Sequence, residues 1–94
     1  MTYFQEQCRE ETNKIVNNVK SNLYRCLNKR GQDFNQFAEW ATQNGAKKAT
    51  VNRLKMNFFQ ADLSEQLSVL CLAAIFMNKT PEEVFFSELT KEQF

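Results

Sequence analysis

The chain has 94 residues, the size of one small domain, and 43% of them are hydrophobic, which is enough to form a core. Two glycines and one proline are too few for the turns of an all-β fold. The lack of histidine excludes Ser-His and Cys-His nucleophile pairs and metal sites that need imidazole. We therefore expect a single all-α domain over residues 1–94 that is not an enzyme and holds no cofactor and no metal ion.

The net charge of +1 is unevenly distributed along the chain. Residues 12–55 carry nine lysines and arginines against two acidic residues, a net of +7, whereas residues 1–11 carry −2 and residues 56–94 carry −4. This division suggests one side that faces a polyanion and another that faces a different partner. Ordinary solvated helix faces would give the same distribution, so the charge alone leaves both interpretations open.

The apolar runs and the cysteines bear on localisation. The longest apolar run, residues 69–77, is nine residues, whereas a membrane span needs about 20, and residues 1–9 contain no apolar signal-peptide core. Three cysteines without close spacing argue against a disulfide framework or a zinc knuckle. Cys26 and Cys71 have apolar neighbours and are predicted core residues, while Cys8 lies in a polar stretch. We expect a cytoplasmic protein.

Apolar residues three and four positions apart predict a first helix that begins near Thr12 and stops before Gly31. Its inner face comprises Ile15, Val16, Val19, Leu23, Cys26 and Leu27. The sequence leaves open whether residues 1–19 include a helical extension, a flexible arm or a dimer contact.

Asp33 and Gln36 have the spacing of a capping box, which predicts the start of a second helix. Gly45 ends this helix, because glycine adopts the left-handed C-terminal conformation without steric cost. Its buried face is predicted to contain Phe34, Phe37, Ala38 and Ala41, with Trp40 beside them.

Two further capping patterns predict the fourth and fifth helices. Asp62 and Glu65 form the second box, and the fourth helix continues from there through Asn78. Thr80 caps the fifth helix, with Pro81 in its first position and two glutamates at the positive end of its dipole.

Ala41, Gly45, Val51 and Leu54 have the spacing of two helices that cross steeply around a tight turn. A small residue at position 41 permits close approach, and Gly45 accommodates the positive φ of the reversal. Val51 and Leu54 anchor a short third helix, roughly residues 47–56, so that its opposite face points outward.

In this respect residues 41–54 resemble, without a gap, the helix-turn-helix of the phage lambda repressor and Cro family. The resemblance covers roughly residues 23–86, about two thirds of the chain, and departs from the family pattern at Phe37, Asn44 and Lys79. It implies a compact five-helix fold, with a helix-turn-helix unit at about 34–56 and helices four and five at about 62–90. It also implies a transcription regulator, such as a repressor, that binds double-stranded DNA sequence-specifically. The long apolar fourth helix is also similar to that of phage CII-type activators.

The outward face of a recognition helix over residues 47–56 would enter the major groove. Lys48 can donate to guanine, Asn52 can pair with adenine, and Ala49 can contact a thymine methyl. The remaining cations suit phosphates, and the resemblance adds Gln36 and Thr50 as backbone contacts, with Lys29 or Arg30 near a flanking phosphate. The candidate DNA-binding residues are Gln36, Lys47, Lys48, Ala49, Thr50, Asn52, Arg53 and Lys55.

The fourth helix is apolar all round, which indicates either central burial or a shared interface. Full burial is difficult in so small a domain, so we expect a symmetric homodimer, or a tetramer if the chain is similar to CII. The predicted interface comprises Leu72, Ile75, Phe76, Phe85, Phe86 and Phe94. An alternative function is a small helical protein–protein interaction module, such as an antitoxin or a phage-encoded inhibitor, that acts through helices four and five.

Overall fold

The computed structural model describes residues 3–94, apart from the side chain of Gln5. Within this range it contains five α-helices: α1 (Tyr3–Arg30), α2 (Phe34–Gln43), α3 (Lys48–Arg53), α4 (Leu63–Phe76) and α5 (Pro81–Phe85). Short 3-10 turns follow at Leu54–Met56 and Lys91–Gln93, and the described residues form no strand. The predictions of an all-α class and of five helices are therefore confirmed. None of the described helices is both long and apolar enough to cross a bilayer.

The first helix is longer than the apolar spacing predicts, because it begins at Tyr3 and not near Thr12. Residues 3–11 lack glycine and proline and contain several strong helix formers, so the helix continues past the end of its apolar face. The predicted end is correct, since α1 stops at Arg30 and Gly31 adopts a φ of 67°. Residues 3–11 are thus a helical extension, and all of their described side chains are exposed.

The core forms where α1 packs against the other helices. The predicted inner face of α1 is buried except for Ile15, which is half-buried, and the predicted face of α2 is buried throughout. Phe37 lies at the centre of the core, with its ring centroid 5.2 Å from that of Phe76. Burial raises the pKa of the Cys26 thiol, against the opposing effect of the nearby Arg30 and Lys79 charges. Cys71, by contrast, is exposed, so its predicted place in the core is wrong.

Helix α4 ends earlier than predicted, at Phe76 instead of Asn78. Asn78 takes a left-handed φ of 62°, and its N–H donates to Ile75, while the Lys79 N–H donates to Ala74. This is the Schellman arrangement, in which a left-handed residue just past the helix satisfies its last carbonyls. The asparagine therefore ends the helix, because its side chain tolerates the left-handed region better than most.

Asn22 joins α1 to the C-terminal segment, and it is fully buried. Its amide nitrogen donates to the carbonyls of Val84 (3.1 Å) and Ser87 (2.8 Å), and its amide oxygen accepts from the Leu89 N–H (2.7 Å). Asn18, one turn earlier, donates to the Phe85 carbonyl at 2.9 Å. The segment after α5 has little regular structure of its own, so these side chains supply the hydrogen bonds that a helix or sheet would otherwise provide.

Candidate nucleic-acid interface

Helices α2 and α3 are joined by a short turn that matches the predicted reversal. Ala41 is fully buried, and its carbonyl accepts from the Ala46 N–H at 3.0 Å across the turn. Gly45 has a φ of 101°, and a Cβ added there would meet nothing within 4 Å. What the turn requires at this position is therefore the backbone conformation of glycine and not space.

Asn44, where the resembling family has a large apolar residue, is exposed at the C-terminal end of α2. Its side-chain amide donates to the Trp40 carbonyl at 2.8 Å, so it caps the helix and contributes nothing to the core. The half-buried Trp40 ring packs instead against Phe76, with 5.3 Å between centroids. This contact fills part of the interior beside α2.

Helix α3 is anchored by Val51 and Leu54, both fully buried, as predicted. The helix is shorter than the predicted 47–56, because its last turn, Leu54–Met56, is a 3-10 helix. Exposed side chains on the outward face include Lys48, Ala49 and Asn52. Residues 47–56 contain no acidic residue, so this face is cationic. A helix anchored on one side and exposing amide, methyl and ammonium groups on the other is suited to contact base edges and phosphates.

Glu65 of α4 connects to the start of α3. Asp62 caps α4 as predicted, accepting from the Glu65 N–H at 2.9 Å, but the Glu65 side chain does not complete the capping box. One carboxylate oxygen accepts from Lys47 at 2.7 Å and the other from the Thr50 hydroxyl at 3.1 Å. The hydrogen bonds from Lys47 and Thr50 lower the pKa of Glu65, and the bond to Glu65 raises the pKa of Lys47.

These contacts change the predicted role of Thr50. Only 2% of Thr50 is exposed, and its hydroxyl is already bonded to Glu65. The structure therefore does not offer this side chain to a DNA backbone, and its place among the candidate contacts is corrected. Lys47 remains exposed, but it is paired with a carboxylate and is not a free cation.

The remaining candidates around α3, two cations and Gln36, differ in their exposure and in the groups that their side chains contact. Arg53 is half-buried, and its guanidinium is 3.5 Å from the Gln60 carbonyl. The Lys55 ammonium lies 4.5 Å from the centre of the Phe34 ring. Gln36 is exposed, but its side-chain oxygen accepts from the Asp33 N–H at 2.8 Å in the confirmed capping box. Of all the candidates, Lys48, Ala49 and Asn52 thus present exposed side chains that neither bond to a polar group nor lie over an aromatic ring among the described residues.

At the end of α1, Lys29 is exposed, whereas Arg30 has partners within the chain. The Arg30 guanidinium donates to the Phe76 carbonyl at 2.8 Å and lies 5.0 Å from the centre of the Phe76 ring. Lys29 is therefore the better placed of the two predicted flanking contacts.

A groove between α2 and α3 is lined by residues that were not among the predicted DNA contacts, together with two that were. Lys48 and Asn52 line one side of it, and α2 lines the other side. The contributing α2 residues are Asn35, Ala38, Glu39, Thr42 and Gln43. Four of these residues are polar and outward-facing, and their spacing of four, three and one along the helix would have shown that they share a face. Glu39 introduces an acidic group beside the cationic α3.

The connection between α3 and α4 is held in an unusual backbone conformation. Asn57, Phe58 and Gln60 have positive φ values of 57°, 60° and 66°. Such values are costly for a bulky residue such as phenylalanine. Phe58 is nevertheless 2% exposed, so the burial of its ring compensates for the strain and fixes the turn that follows α3.

The predicted dimer residues are divided by the structure. Leu72, Phe76, Phe85 and Phe94 are half-buried and pack against the core of the same chain. The Phe94 ring also lies 5.7 Å from the Lys79 ammonium, which is half-buried where the family usually has an apolar side chain. Ile75 and Phe86 are exposed, at 62% and 68%.

Comparisons with protein-family models, with curated proteins and with solved structures returned no match to this chain.

Proposed function

We propose that this protein is a sequence-specific regulator of transcription that binds double-stranded DNA through α3, with a fold of the lambda repressor and Cro type. The observation that carries the proposal is the two-sided character of α3. Val51 and Leu54 are fully buried, while Lys48, Ala49 and Asn52 are exposed on the opposite side. The order of the helices and the turn at Gly45 support the same proposal.

The charge around α3 fits this function. Lysines and arginines predominate over residues 12–55, a range that includes α3 and the exposed Lys29. Phosphate contacts by such residues would hold the protein on the duplex, while Asn52 and Lys48 would distinguish bases. Glu39, on the far wall of the groove, is an acceptor suited to a cytosine amino group. The proposed site thus contains both donors and an acceptor for base edges.

Selection from a random duplex pool, followed by sequencing of the bound fraction, tests this proposal. We expect an enriched consensus for the unmodified protein. Asn52→Ala should relax the preference at one position of that consensus, by about 1–3 kcal/mol of discrimination. Asn17→Ala is the matched control, because Asn17 is an exposed asparagine on α1. Selection that enriches no sequence, or an Asn52→Ala consensus identical to the original, would contradict the proposed role of α3.

A protein–protein interaction module is the second candidate, and one observation favours it. Helix α4 exposes large apolar side chains, among them Leu63 at 62% and Leu67 at 47%. Binding to DNA does not require these groups. Both functions can reside in one chain, since a regulator that binds as a dimer needs an interface as well as a recognition helix.

A further inference from the structure

A row of exposed apolar residues runs along α4 on the side away from the core. It consists of Leu63, Leu67, Cys71 and Ile75, each four positions after the last, and we call it the α4 row. Three of these residues are 62%, 47% and 62% exposed, in the order Leu63, Leu67, Ile75, and the Cys71 thiol is also exposed. The row spans twelve positions of the helix, about 18 Å at 1.5 Å per residue. Residues spaced by four form the ridges that interdigitate in the commonest packing of two helices.

A shallow groove accompanies the row. It lies between α4 and the α2–α3 turn and has a volume of about 330 Å³. Its floor and walls include Gly45, Ala46, Ser68 and Leu72, and the second half of the α4 row forms one edge. The small side chains of the turn keep this groove open beside the ridge. The surface therefore contains a ridge and a recess next to each other, which is what a surface needs to be complementary to its own copy.

The absence of charge identifies the kind of occupant. None of the residues that line the groove or form the α4 row is charged. The one acidic residue of α4, Glu65, is bound to Lys47 and Thr50. Charged residues are numerous elsewhere in the chain, with a net of +7 over residues 12–55, so DNA or a charged protein would find better complementarity outside this uncharged face. An uncharged face can be buried against an identical face without like-charge repulsion and without desolvation of an ion.

We propose that the α4 row is the interface of a symmetric homodimer. The two α4 helices run antiparallel, and the two-fold axis passes between Leu67 and Cys71. Each Leu63 then approaches the groove beside Ile75 of the second copy. A stable interface covers about 800 Å² per partner, roughly an eighth of the 6060 Å² surface of this chain, so the α2–α3 turn takes part as well as the row. This arrangement replaces the predicted α5 surface, because Phe85 and Phe94 pack against their own core.

The homodimer rests on the proposed function, but it is tested without DNA, so the two proposals can fail separately. Sedimentation of the full chain at micromolar concentration should show a dimer. Leu67→Glu should give a monomer with an unchanged far-UV circular dichroism spectrum. Phe86→Glu should remain a dimer, because Phe86 is equally apolar and more exposed but lies at the end of α5 beside α1. If Leu67→Glu fails to fold, Ile75→Glu at a more exposed position serves the same purpose.

Cross-linking provides a second reading of the same contact. In a Cys8→Ser background, Cys71 is the one exposed cysteine, since Cys26 is buried. A short bismaleimide should then yield a covalent dimer, and Leu67→Glu should abolish it. A monomer at all concentrations tested would overturn the interface and leave the DNA proposal to its own selection experiment. Dissociation by Phe86→Glu but not by Leu67→Glu would also overturn it, in favour of the α5 surface.

Discussion

Asn22 provides the sharpest test of how the fold is held together. Asn22→Ala removes three hydrogen bonds at once and leaves the carbonyls of Val84 and Ser87 and the N–H of Leu89 without their partner. A buried polar group that loses its partner costs about 1–3 kcal/mol. The Val84 and Leu89 contacts are buried, whereas the Ser87 contact is partly buried and can recruit water.

We therefore expect Asn22→Ala to lower the free energy of unfolding by about 3–5 kcal/mol. For a domain of this size, the melting temperature falls by about 4–8 °C per kcal/mol, so the loss should be 12 °C or more. Asn18→Ala is the matched control, because Asn18 makes a single, partly buried bond to the same segment, and it should cost about 1 kcal/mol. Urea denaturation, followed by circular dichroism and by the fluorescence of the single tryptophan, gives both values.

A charge substitution distinguishes the hydrogen bonds from simple packing. Asn22→Asp keeps the acceptor for the Leu89 N–H but directs a carboxylate at two carbonyl oxygens. The pKa of the new carboxyl should be raised in the folded state, because only its protonated form can donate. Its stability deficit should therefore be small below about pH 4 and grow as the pH rises through the raised pKa. Equal stability of Asn22→Ala and Asn18→Ala, or a pH-independent deficit for Asn22→Asp, would refute the reasoning.

Three further predictions concern α3 and its surroundings. Glu65→Gln should reduce stability at neutral pH. Because the pKa of Glu65 is lowered in the folded protein, the stability advantage of the unmodified protein should shrink as the pH falls below about 4. Thermal melts at several pH values measure this difference. Arg53→Ala should weaken binding to all sequences and reduce the slope of log affinity against log salt by about 1, whereas Arg9→Ala on the α1 extension should leave the slope unchanged; a changed consensus would contradict this. Gly45→Ala should destabilise the fold by about 1–3 kcal/mol, because φ is 101° there, while Gly31→Asn, at a φ of 67°, should be nearly neutral; equal melting temperatures would contradict the conformational argument.

Much of the fold follows from short-range patterns in the sequence. The caps at Asp33 and Thr80 are confirmed, each with a full capping box, because both partners of a box lie within four residues of each other. The inner faces of α1 and α2 are also confirmed, since a one-sided apolar spacing leaves one way to bury the helix. Helix α1 begins twelve residues before Ile15, the first residue of its apolar face, so the apolar spacing gives no information about where this helix starts.

The remaining features depend on contacts between distant parts of the chain. Helix α4 is apolar on every side, so periodicity could not show that Cys71 faces solvent while Val69 and Leu70 face the core. Glu65 has the spacing of a capping residue, but two donors at the start of α3, Lys47 and Thr50, compete for its carboxylate. A sequence pattern shows only the partner that is near in sequence, here Asp62, whereas Lys47 and Thr50 reach Glu65 only in the folded chain. For this reason the sequence overestimated the availability of Lys47 and Thr50 to DNA, since both side chains bond to Glu65.

Helix α4 is the element that connects the two proposed surfaces. On one side Glu65 holds the start of α3, and on another side the α4 row remains open. If two copies meet along that row, each α3 is fixed relative to the shared helix pair, and the separation of the two recognition helices is set by α4 and not by a flexible link. Half-site spacing on a two-fold operator would then report on the α4 contact, while the bases within each half-site would report on Asn52 and Lys48. Leu67→Glu should therefore remove the fixed spacing between half-sites and leave the half-site sequence intact. A consensus that keeps its fixed spacing in Leu67→Glu would show that the α4 row does not set the separation of the recognition helices.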